Sequence, residues 1–186
     1  MKLFQKINVS IGNIQEIINT FFVNEHKPLL IVPDTNALYL NTEFEKWGFE
    51  KIEKIEIVIT PSVFKDLDKH KIEHRNESIR NKALKLINKF KEYRRRGKLI
   101  DGVYLIKDKV KLRAIATEPN FLNSLKYLDP QNDDDRLIAE ILDLIKQNCE
   151  RNVIMITADI NLQNKCDLID LPYIEPPILE PQWINK

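Results

Sequence analysis

Glycine is scarce in this chain, with four residues in 186. So few argue against flexible linkers, and the length suits one domain with at most a terminal arm. Cysteine is scarcer still. Cys149 falls late in a helical pattern and Cys166 beside a polar run. Neither suggests a disulfide framework, so a reduced, cytoplasmic setting is expected. Long apolar runs are missing, which excludes a membrane-spanning helix. The opening MKLFQKINVSIGNIQEIINTFF lacks the unbroken apolar core and small-residue cleavage site of a signal peptide. Charge of neither sign predominates: the formal net charge is +1. Any attraction to nucleic acid must come from a local patch. No internal repeat stands out, and composition is biased only towards Lys, Asn and Ile.

What remains is an ordinary globular composition, 43% hydrophobic and 31% charged, in a chain long enough to bury a core unaided. Ile7, Ile11, Ile14, Ile17, Ile18 and Phe21 recur at helical spacing and predict an amphipathic helical arm over residues 1–27. PLLIVP (28–33) is a short, wholly apolar run and KIEIVITP (54–61) a second, mostly apolar one, as expected of strands buried on both faces. Residues 62–99 read as a long helical region, broken near Arg75–Ser78 and stopped at Gly97. GVYLI (102–106) is a third strand candidate. Residues 107–130 are mixed, with a short helix expected at NFLNSLKYL. Helix is expected at 133–147, strand at RNVIMIT (151–157), helix at 160–167, and an extended end at LPYIEPPILEP. Strands alternating with helices indicate an α/β fold around a largely parallel sheet.

In such sheets, ligands bind beyond the carboxyl ends of the strands. Acids collect there. Asp34 follows LLIVP, Asp66 and Asp68 follow IEIVITPS, and Asp159 follows NVIMITA. Asp133, Asp134 and Asp135 open a helix. Each has a bland explanation: Asp34 and Asp159 as helix N-caps, Asp66 and Asp68 as dipole-favoured residues of a first turn, the triplet as a cap with two neighbours. Together they favour a shared cation site. Converging carboxylates need a counter-charge, and oxygen ligands without His or Cys favour Mg2+ or Mn2+ over zinc. Helical phase divides the triplet. With Ile138, Ile141, Leu142 and Ile145 as the buried face, Asp134 projects near its centre, Asp135 to one flank, and Asp133 towards solvent as a possible N-cap.

The segments IVPDTNALYL, IVITPSVFKDLDKHK, NDDDRLIAEIL and VIMITADINLQNKCDL resemble a PIN domain, in particular bacterial PIN domains joined to PhoH-type ATPases and their stand-alone relatives. The resemblance runs from 28 to 177, with 178–186 an extended tail. It implies a three-layer α/β/α sandwich and a Mg2+- or Mn2+-dependent endoribonuclease. The family's acids correspond to Asp34, Asp66, Asp134 and Asp159, of which Asp34, Asp134 and Asp159 would hold metal, with Asp135 a neighbour in the outer shell. Asn36 and Thr157 match supporting polar positions. The second acid departs from the pattern: the family usually has Glu in an EL pair, and this chain has Asp66 in DL.

KLINKFKEYRRRGK (85–98) carries seven basic residues against one acid. Lys89, Lys91, Arg94, Arg95, Arg96 and Lys98 are candidate RNA contacts, or a solvated helix end whose arginines favour the dipole. His70 and His74 stand four apart without a third ligand, which makes a solvated face the better reading than zinc. The rival functions are a non-catalytic RNA-binding module and a toxin-type ribonuclease held by an inhibitory protein. Its docking surface would be the N-terminal helix or EPPILEP. A homodimer is a further candidate assembly.

Overall fold

The computed structural model describes residues 28–47, 52, 54–121, 126–149 and 151–177. The expected N-terminal helix and C-terminal tail lie outside the described residues, as do residues 122–125 of the expected helix at NFLNSLKYL. Six strands form one sheet: β1 (Leu29–Pro33), β2 (Ile55–Ile59), β3 (Val103–Ile106), β4 (Val110–Ala114), β5 (Val153–Ile156) and β6 (Tyr173–Ile174). Their order is β3-β4-β2-β1-β5-β6. Every pairing is parallel except β3 with β4. Helices cover both faces. Their ranges are α1 (Thr35–Leu40), α2 (Pro61–Glu73), α3 (Glu77–Arg96), α4 (Asp133–Gln147) and α5 (Ile160–Leu168).

The apolar runs become the strands for the expected reason. All residues of β1, β2 and β5 are buried, because helices pack against both sides of a parallel sheet. The long helical region splits where predicted, at His74–Asn76, and ends at Gly97. The mixed segment hides β4. Asp108 adopts a left-handed φ of 59° in the turn that folds β4 back on β3. Gly102 enters this hairpin at φ 85°, and a Cβ there would meet the side chain of Lys111 at 2.1 Å. The hairpin turn has no glycine or proline to announce it, but VKLRA itself alternates apolar and basic residues, the pattern of a half-buried strand.

The chain order sets the place of the site. From β1 the chain moves one way, to β2 and then β4 with β3; it then returns to the other side of β1 for β5 and β6. The direction reverses between β1 and β5. In open α/β sheets a crevice opens at such a switch point, beyond the carboxyl ends of the two strands.

Candidate active site

Asp34 follows β1 at this crevice. It is 2% exposed and caps α1, with Oδ1 accepting from Ala37 N at 2.5 Å. Its Oδ2 accepts from Thr157 Oγ1 at 2.5 Å. Thr157, fully buried just after β5, also accepts from Asp159 N at 3.0 Å. One hydroxyl thus ties the acid after β1 to the loop carrying Asp159 across the switch point. Asp159 caps α5 through Asn161 N at 2.8 Å. The helix caps expected of Asp34 and Asp159 are real, and they coexist with a place in the site. Each carboxylate oxygen has two lone pairs, so an oxygen that accepts one hydrogen bond can still face a cation.

Asp66 comes from the second turn of α2 and accepts from Thr35 Oγ1 at 3.0 Å. Asp134 comes from the first turn of α4. Asp34, Asp66, Asp133, Asp134 and Asp159 line a single cavity of about 100 Å3, together with Asn36. The structure therefore brings the four predicted acids to one place. Burial pushes the pKa of Asp34 up to about 6, and the charges of Asp159 and Asp134 add to the rise. Burial also raises Asp66, against the hydrogen bond from Thr35. Asp134 is raised by burial, with Asp159, Asp135 and Asp133 adding to it against the pull of Lys165.

The aspartate triplet divides differently from its helical projection. Asn132, not Asp133, is the N-cap of α4. Asp133 stands at the cavity rim paired with Lys65 Nζ at 2.9 Å, which lowers its pKa. Asp135 is not brought into the site. It is buried, accepts from Lys165 Nζ and from Asp129 N, and is absent from the cavity wall. Burial pushes it up, but these partners win and hold it below the ordinary carboxylate range. An ammonium already supplies its counter-charge, so the expected metal role passes from it. Leu137 and Leu144 are buried, whereas Leu142 and Ile145 are only half-buried, so the buried face of α4 includes Asp135, while Asp134 still lines the cavity.

The basic stretch also divides. Lys89 is not available to a ligand: its Nζ meets Glu45 at 2.6 Å and Thr42 O at 2.9 Å, and lies 4.9 Å over the Phe44 ring. Arg96 pairs with Glu92 and lies over Tyr93. Lys91, Arg94, Arg95 and Lys98 are exposed. The end of α3 reaches the same sheet edge as the acids. Leu99 O accepts from Ala114 N at the carboxyl end of β4, and Ile115 N donates to Ile59 O at that of β2, both at 2.9 Å.

A PIN domain sequence model matches residues 31–174. The chain belongs to the PIN domain family. PIN domains are generally nucleases that use divalent metals. Among solved structures, the chain is similar to a domain of a functionally unknown protein from Methanocaldococcus jannaschii DSM 2661, at 15% identity and a TM-score of 0.47, covering 83% of this chain and 95% of that one. No curated protein matches it.

Three contributors to this PIN domain site were not legible as such. Thr35 orients Asp66. Glu140, 3% exposed in α4, accepts from Ser62 N at 3.1 Å and from Ser62 Oγ at 2.8 Å, tying α4 to the first turn of α2. His70, assigned to a solvated face, lines the cavity. Burial lowers its pKa. The i, i+4 spacing of Asp66 and His70 was the available signal, since such residues share a helix face.

Proposed function

We propose that the protein is a Mg2+- or Mn2+-dependent endoribonuclease. The convergence of Asp34, Asp66, Asp134 and Asp159 on one cavity at the switch point carries the reading. The donor set fits a hard divalent ion. Asp34 is buried with an elevated pKa, Asp134 is raised in the same direction, and oxygen predominates among the cavity's polar atoms. Among the described residues, no three His, Cys, Asp or Glu side chains form a ready-made cage. The ion would therefore be held partly through water, as Mg2+ commonly is.

Asp34, Asp134 and Asp159 would hold the ion. Once bound, it supplies a Lewis acid for the phosphoryl oxygen and makes water more acidic. Thr157 fixes the oxygen of Asp34 that does not cap α1, and so aims the carboxylate. Asp66, steadied by Thr35, orients the attacking water. Lys91, Arg94, Arg95 and Lys98 would hold the RNA backbone at the same sheet edge without reading sequence.

Incubation of the purified chain with labelled single-stranded RNA tests this. Cleavage is expected with Mg2+ or Mn2+, and none with chelator or in Asp34→Asn and Asp159→Asn. Undiminished cleavage by both variants would sink the proposed site. One observation favours a second reading, a non-catalytic RNA-binding module: Asp66, a carboxylate shorter than the family's usual Glu, is also tied to Thr35. RNA binding that persists in chelator, with no substrate cut under any condition, would select that reading.

A further inference from the structure

Two hydrogen bonds of equal length run between α1 and α2. Thr35 Oγ1 donates to Asp66 Oδ2 at 3.0 Å, and Tyr39 Oη meets His70 Nδ1 at 3.0 Å. Thr35 and Tyr39 are four apart on α1; Asp66 and His70 are four apart on α2. Residues at that spacing lie above one another on one helix face, so the contacts form two rungs of a ladder. Both α2 side chains line the acidic cavity. Tyr39 is 5% exposed and His70 is half-buried, so the upper rung is ordered rather than a chance surface contact.

The rung is compatible with either imidazole tautomer, since a phenol can donate to Nδ1 or accept from it. Burial and the charge of Asp66 push the Tyr39 pKa up, so its phenol keeps its proton. The partner shown for that hydroxyl is His70 Nδ1. In the tautomer where the phenol donates to Nδ1, which also satisfies its own O–H, Nε2 carries the ring's N–H. Thr35 and Ser62 also line the cavity, but their hydroxyls already donate to Asp66 and Glu140.

We propose that His70 is a substrate-binding residue that donates from Nε2 to a phosphate oxygen of RNA beside the carboxylates, and that Tyr39 is the positioning residue that holds it there. The inference rests on the nuclease-site reading for the identity of the ligand, but not on turnover. A phosphodiester entering a wall of carboxylates meets repulsion. A neutral donor fixed to that wall holds the phosphate without forming an ion pair with the acids, as a lysine there would. His74 is the internal comparison. Its ring is 5.1 Å from that of His70, but its Nδ1 accepts from Asn76 N at 3.1 Å and it is not part of the cavity wall.

Fluorescence anisotropy with a 5′-labelled single-stranded 20-nucleotide RNA, in Ca2+ and separately in Mg2+, tests this on the full chain. His70→Ala is expected to weaken binding about tenfold, the size of one hydrogen bond to a charged group. His70→Gln, which keeps a neutral donor, should recover part of that loss. Tyr39→Phe should weaken binding several-fold, and His74→Ala less than twofold. Thermal melts of each variant separate misfolding from lost contact. Equal binding by wild type and His70→Ala overturns the proposal, as does an equal loss in His74→Ala. RNA that the wild-type protein binds through His70 and never cuts overturns the nuclease reading alone. Where cleavage occurs, the His70 effect should appear mainly in KM.

Discussion

Asp34 is a carboxylate the fold holds at a cost, and the sign of that cost is measurable. Its pKa rises from 3.8 to about 6 on folding. Stability associated with the protonated form is complete below the unfolded value and is lost as pH rises through the folded one. A shift of this size corresponds to about 3 kcal/mol. In metal-free protein, Asp34→Asn should therefore gain stability relative to wild type by about 3 kcal/mol between pH 4 and pH 7, read from urea midpoints. Mg2+ or Mn2+ should stabilise wild type at pH 7 and Asp34→Asn far less. A difference that does not vary with pH would refute the buried-acid account. The same variant should lose about 100-fold or more of any cleavage activity. Thr157→Val removes the hydroxyl that serves both Asp34 and Asp159 N. It should cost about 1–3 kcal/mol, the range for a buried group left unpaired, and move the Asp34 titration seen by carboxyl NMR still higher.

At the scale of elements, the site depends on how α2 enters relative to α4. Pro61 opens α2, and Thr60 makes no side-chain cap. Glu140 takes that part from another helix through its contacts with Ser62. Burial raises the Glu140 pKa, so its neutral form is the less costly one to keep inside. Glu140→Ala should destabilise the protein by about 2–3 kcal/mol, with unpaired groups left at the N-terminus of α2. Glu140→Gln should cost well under half of that, since an amide oxygen can still accept; chemical denaturation compares the two. Equal losses would mean that side-chain volume is irrelevant and that an amide oxygen cannot replace the carboxylate that caps α2. No local sequence pattern announces this contact, because Ser62 and Glu140 are 78 residues apart and a lone Glu within a helix reads as solvent-facing.

For the molecule as a whole, the sheet separates two fields and sets them on one edge. The net charge is +1, yet the acids lie beyond β1 and β5, and the basic end of α3 lies beside β4. Replacing Arg94, Arg95 and Lys98 together by Ala should weaken RNA binding at low salt. It should also reduce the slope of log K against log salt by about 2, at about 0.7 per single-strand phosphate contact. Lys89→Ala should leave that slope unchanged and lower the melting temperature, because its ammonium is committed to Glu45, Thr42 and Phe44. An unchanged slope in the triple variant would make those residues a solvated helix end and nothing more.

The strands β1, β2 and β5, the break in the long helical region, the family and the four acids were all readable from the chain. Each is written in local terms: short, mostly apolar runs, helical spacing, and acids placed just after strands. Strand β4 was not, because its turn depends on a left-handed aspartate with no glycine or proline to mark it, although the alternation in VKLRA is a strand pattern. The roles of Asp135, Lys89 and His70 were not readable either. A carboxylate, an ammonium or an imidazole takes its role from the groups it meets, and these met Lys165, Glu45 and Tyr39 from distant parts of the chain. Sequence alone determined which residue types reach the carboxyl edge of the sheet. Only the tertiary structure decided which of them already have partners and which are left facing the cavity, because electrostatic and hydrogen-bond pairing are properties of distance in space rather than of position along the chain.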